Sequence, residues 1–149
     1  MRFQHILVAV DGSEFAAHAL EVASSLAAAV GAQIGLVHVI DPKFVVNETG
    51  VPGDQLWAML RADGKGLLET AASAVPAHPQ CWKFLREGPP WTEIVDSARE
   101  WRADLIVIGT HGRSGLTRLV FGSTAEGVTR HAPCPVIVVP PASRSGDSG

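Results

Sequence analysis

Leu105–Ile106–Val107–Ile108–Gly109–Thr110–His111–Gly112–Arg113–Ser114–Gly115–Leu116–Thr117–Arg118–Leu119–Val120–Phe121–Gly122–Ser123–Thr124–Ala125–Glu126 is the stretch on which the fold turns. Four apolar residues in unbroken succession, rich in β-branching, predict a strand covered on both faces, as in a parallel sheet. A glycine-rich connection follows, and then a helix from about Thr124 to His131, with Ser123 and Glu126 spaced as a capping box at its start. A buried strand leading through a short loop into a helix is half of a βαβ unit.

The same alternation runs through the rest of the chain. His5–Ile6–Leu7–Val8–Ala9–Val10 reads as a first buried strand, ending at the turn Asp11–Gly12–Ser13, with Ser13 placed to cap a helix. Ala19, Leu20, Ala23, Leu26, Ala27 and Val30 then form one helical stripe, stopped by Gly31. Residues 33–40 read as a second strand, broken by Asp41–Pro42. The aperiodic stretch from Lys43 to Gly53 reads as a mobile loop, followed by a helix from about Asp54 to Ala74. Residues 81–86 form a third strand, and Ile94, Val95, Ala98 and Trp101 give the next helix a buried face. The last strand is Val136–Val139, between Pro135 and Pro140. Residues 1–141 thus make one domain, and the small polar tail 142–149 reads as disordered.

Composition bounds the function classes. The 149 residues are 46% hydrophobic and 18% charged, with no run approaching the ~20 apolar residues of a membrane span. The net charge of −3, without a basic run, lacks the electrostatic footprint of a nucleic-acid binder. Cys81 and Cys134 are far apart and suit a reducing compartment, and Ile6–Val10 is too short for a signal-peptide core; the reading is cytoplasmic. Trp57, Trp82, Trp91 and Trp101 read as core or interface residues, and five of the six histidines, all but His111, as structural or exposed.

Chemistry concentrates in the glycine-rich connection. Gly109, Gly112, Gly115 and Gly122 are four of the chain's 15 glycines, and from Gly109 to His131 three arginines face one glutamate, a local +2. Glycines let the backbone approach a ligand, and the N–H groups of the following helix favour phosphate. Other phosphate motifs fail. Gly64–Lys65 is followed by Gly66 rather than Ser or Thr, GxGxxG is absent, and Leu116 stands where a nucleophile elbow needs glycine.

The spacing Gly109-x2-Gly112-x9-Gly122-Ser123 resembles the ATP-binding motif of the universal stress protein family, and the resemblance extends from about Phe3 to Pro140. It implies a Rossmann-like α/β sandwich of three layers, whose five-stranded parallel sheet has order 3-2-1-4-5 and helices on both faces. In such sheets ligands bind where the strand order reverses, between the first and fourth strands. The resemblance places Ala9 and Asp11 at that point, with Asp11 near the ribose and the phosphate-bound Mg²⁺. It has Val39 line the adenine pocket through its backbone, Gly109 and Gly112 approach ribose and phosphates with Arg113 there to add a charge-assisted contact, and Gly122, Ser123 and Thr124 donate at the helix N-terminus. It implies a cytoplasmic stress-response sensor or adaptor that binds ATP, or AMP or another adenine nucleotide, with Mg²⁺ and at most slow hydrolysis. Homodimerisation is expected through Val136–Val139. The rival readings are a nucleotide α-hydrolase or adenylyl-transfer enzyme on the same fold, and a nucleotide-free dimeric interaction module. Asp11 and His111 are the weak candidates for a general base.

Overall fold

The computed structural model describes residues 2–45, 53–76, 81–111 and 122–141. The strands β1 (His5–Ala9), β2 (Gln33–Ile40), β3 (Cys81–Glu87), β4 (Leu105–Gly109) and β5 (Val136–Val139) form one sheet, all pairs parallel, in the order β3-β2-β1-β4-β5. This is the expected topology. Helices α1 (Glu14–Val30) and α2 (Gly53–Ser73) cover one face, and α3 (Pro90–Trp101) and α4 (Ser123–His131) the other.

Strand period two explains the two cores. Ile6 and Val8 of β1 join Leu36, Leu105 and Val107 against α1 and α2, while Leu7 joins Val37, Ile106 and Ile108 against α3 and α4. Such strands read as continuous apolar runs because both sides are covered, and each fully buried aliphatic side chain contributes about 1.5–3 kcal/mol.

Local signals were largely followed. The Ser13 hydroxyl accepts from the Ala16 N–H at 3.2 Å and caps α1, and Gly31 ends that helix in the left-handed region at φ 74. At the N-terminal end of the sheet, the Asp104 carboxylate accepts from the N–H groups of Gln4 and His5 at 2.8 and 3.1 Å, which ties β1 to the turn before β4.

Four expectations are corrected. β1 stops at Ala9, one residue short of Val10. Pro42–Val45 forms a 3-10 turn where a loop was read, and residues 46–52 of that loop lie outside the described residues. β3 reaches Glu87, whose carboxylate is held by Arg61 of α2 at 2.7 Å. The capping box at Ser123 is not formed: Gly122 is the N-cap, with no side-chain cap, and Ser123 is the first helical residue. The Glu126 carboxylate pairs with Arg130 at 3.1 Å instead of reaching back to cap the helix. The tail 142–149 lies outside the described residues.

Candidate functional site

Each helix that follows a strand starts at the C-terminal edge of the sheet, so the N-termini of α1, α3 and α4 gather there. Between them and α2 opens a cleft of about 1030 Å³, at the upper end of the usual range for small-ligand sites. Seven of the nine nominated residues line it: Ala9, Asp11, Val39, Gly109, Gly122, Ser123 and Thr124. Gly112 and Arg113 lie outside the described residues.

Asp11 stands at the point where the strand order reverses. Its Oδ1 accepts from the Ser13 N–H at 2.9 Å, so the carboxylate shapes the turn while lining the cleft. Gly109 faces the first turn of α1: a Cβ there would lie 3.1 Å from both the Cβ and the carbonyl oxygen of Phe15. The absent side chain lets helix and strand meet closely beneath the cleft.

The start of α4 is set by backbone. The Gly122 N–H donates to the Thr110 carbonyl at 2.7 Å, and the Glu126 N–H to the Gly122 carbonyl at 3.0 Å. The N–H groups of Ser123, Thr124 and Ala125 stand at the orphan positions of a helix N-terminus, and no side chain among the described residues caps them. Three amides on the positive end of a nine-residue helix make an anion site. His111 is buried beneath this end, 6% exposed, its ring edge-on to Phe15 with centroids 5.7 Å apart.

The far wall escaped the sequence reading. Asp41 and Lys43 reach the cleft from the end of β2, Asp63 and Gly64 from α2, and Trp91 from α3. Three carboxylates and one ammonium therefore line its described part. No described group of three or more His, Cys, Asp or Glu residues is arranged to hold a metal ion alone.

Away from the cleft, Cys134 packs beside the α3–α4 core, and burial, with Asp104 adding repulsion, pushes its thiol up to about 11. At pH 8 the folded chain therefore holds far less Cys134 thiolate than an ordinary cysteine would give. Folding therefore favours the protonated thiol, and this contribution to stability is lost as pH rises from the unfolded value through about 11. In a Cys81→Ser variant, Cys134 should react with a disulfide reagent at pH 8 far more slowly in the folded than in the urea-unfolded protein; equal rates would contradict the assignment.

The Universal stress protein family model matches residues 2–140. Universal stress protein MJ0531 of Methanocaldococcus jannaschii is 33% identical over 142 residues, covering 92% of this chain and 82% of that protein. Among solved structures, hypothetical protein MJ0577 superposes with a TM-score of 0.84 at 26% identity, covering 97% of this chain and all of that one. The universal stress protein from Archaeoglobus fulgidus in complex with dAMP has a TM-score of 0.61 at 27% identity, covering 93% of this chain and 98% of that one.

Proposed function

The chain belongs to the universal stress protein family, and from that premise we propose that it binds an adenine nucleotide in the cleft at the C-terminal edge of its sheet. The observation that carries the reading is the convergence of the open N-terminus of α4, the Asp11 turn and the backbone of Val39 on one cavity. Phosphates fit the amides of Ser123, Thr124 and Ala125, the ribose lies towards Asp11, and the base lies along the end of β2. A relative of the same fold that is complexed with dAMP supports the adenine assignment.

ATP with Mg²⁺ is the proposed form of the ligand. Asp11, Asp41 and Asp63 would repel a naked triphosphate, and a divalent ion on the phosphates relieves that repulsion. Asp11 is placed to meet such an ion indirectly, through its water shell. The ion would neutralise phosphate charge.

Binding is favoured over turnover. Asp11 is engaged by the Ser13 N–H, His111 is shielded from solvent, and the Ser13 hydroxyl is committed to capping α1. Each of these three described groups is already engaged or shielded, and the proposed role is that of a cytoplasmic sensor or adaptor whose output follows nucleotide occupancy. Among the described residues, no helix is long and apolar enough to cross a membrane. The output surface includes β5, an edge strand with Ile137 36% exposed, proposed to pair with a second copy of the chain. Native mass spectrometry of the purified protein should find a two-chain species carrying an adenine nucleotide on each chain. A protein without nucleotide that also fails to take up added Mg²⁺–ATP would overturn the first proposal, and a monomer at micromolar concentration the second.

A further inference from the structure

β1 ends one residue earlier than its apolar run, and at that point the side chain of a β2 residue meets its backbone. The paired register closes at Ala9↔Val37, and the Val10 N–H still donates to the Val37 carbonyl at 2.9 Å. In a regular parallel ladder the next bond would run from the Val39 N–H to the Val10 carbonyl. That carbonyl instead accepts from Nδ1 of His38 at 2.8 Å, and no Val39–Val10 bond is made. Because the acceptor is a carbonyl, Nδ1 must carry the hydrogen.

The consequence falls on Val39. Backbone groups alternate along a strand: the Val37 carbonyl faces β1, and the Ile40 carbonyl faces the β3 side, where it accepts from the Gly88 N–H at 3.0 Å. The N–H of Val39 therefore faces the β1 side, at a level where the chain has already turned off at Asp11 and the cleft has opened. His38 is 9% exposed, and α2 crosses it at Gly64, where a Cβ would lie 3.1 Å from His38 Cδ2 and 2.7 Å from Leu85 Cδ1. The ring is thus held from one side by packing and from the other by its hydrogen bond.

We infer that His38 is a positioning residue: by donating Nδ1–H to the Val10 carbonyl, it keeps the Val39 N–H out of the β1–β2 ladder and presents it to the base of the bound nucleotide. The inference rests on the nucleotide reading above and adds the device that gives that site its base selectivity. An amide donor matches a ring nitrogen with a lone pair, such as N1 of adenine. Guanine carries a hydrogen at N1 and would leave two donors face to face, the kind of mismatch that discriminates strongly in a buried site.

Two variants separate positioning from folding. His38→Leu removes the donor and lets the Val39 N–H close on Val10, while His38→Asn keeps an N–H near the place of Nδ1. Calorimetric titrations would compare Mg²⁺–ATP, Mg²⁺–GTP and tripolyphosphate. His38→Leu should weaken ATP about tenfold or more, leave tripolyphosphate within about twofold and erase the preference over GTP, and His38→Asn should restore most of it. Amide hydrogen exchange, which needs no ligand, should show Val39 exchanging faster than its ladder neighbours in the wild type and slower in His38→Leu.

The inference fails if His38→Leu binds ATP like the wild type, or loses ATP and tripolyphosphate equally with Val39 exchange unchanged. If His38→Leu does not fold, the wild-type exchange pattern and a ring-nitrogen spectrum showing Nδ1–H still decide: a protected Val39 amide, or the opposite tautomer, overturns the role. Wild-type protein that binds no adenine nucleotide defeats the functional reading, while the exchange data independently decide whether His38 holds Val39 out of the ladder.

Discussion

Gly122→Val should weaken Mg²⁺–ATP binding by about 30-fold or more, roughly 2 kcal/mol, while leaving a folded protein. The effect cannot come from the backbone, because Gly122 has φ −63 and ψ 161, an extended conformation open to any residue. It comes from crowding at the helix start. A Cβ on residue 122 would lie 3.2 Å from the Thr110 carbonyl oxygen and 3.6 Å from His111 Nδ1, so valine must press on these two groups or swing its methyls over the first amides of α4. Either displacement disturbs the three N–H groups assigned to phosphate. Gly122→Ala, with a Cβ alone, should lose less affinity. Calorimetry against ATP and tripolyphosphate would read the effect directly, and thermal unfolding would check the fold. Equal affinity in wild type and Gly122→Val would place the phosphates elsewhere.

Much of the fold was legible because each signal was local. The Leu105–Ile108 run, the Ser13 cap and the Gly31 stop each depend on a few neighbouring residues, and the structure uses all three. The near wall of the cleft was legible for the same reason: Asp11, Gly109 and Gly122 lie at strand and helix ends marked by glycine.

What was missed depends on contacts distant in sequence. Ser123 and Glu126 have the spacing of a capping box, but the bond from the Gly122 N–H to the Thr110 carbonyl fixes the helix start one residue earlier. Where β1 ends, the Val10 carbonyl meets the ring of a histidine 28 residues away. Asp63 reaches the cleft only because α2, weak in its apolar period, settles on β2 and β3 with Gly64 against His38 and Leu85. His38 read as one more structural histidine, since nothing in its own neighbourhood specifies that its ring will take a backbone acceptor from the neighbouring strand.

Gly127→Ala, which in an isolated helix would be stabilising, should here cost up to about 2 kcal/mol of stability. Alanine is favoured over glycine in a helix interior by about 1 kcal/mol. Against this stands Trp91, whose Cγ, Cδ1 and Cβ would lie 2.3, 2.5 and 2.8 Å from a Cβ on residue 127. These are the rigid, near atoms of the side chain, and the ring is stacked on His131 with centroids 4.2 Å apart and planes at 18°. His131 in turn donates from Nδ1 to the Gly127 carbonyl at 2.9 Å, so indole, imidazole and helix backbone form one closed contact. Overpacking of this kind costs about 1–3 kcal/mol, enough to outweigh the propensity gain. The sign should reverse when the obstacle is removed: in a Trp91→Ala background, Gly127→Ala should raise stability by about 0.5–1 kcal/mol, since only propensity remains. Urea midpoints of the four proteins would measure this cycle, and a stabilising Gly127→Ala in the wild-type background would show that α4 is not seated on Trp91. Because Trp91 also lines the cleft and α4 carries the proposed phosphate amides, Gly127→Ala should lower ATP affinity as well, through the seat of the helix rather than through any ligand contact.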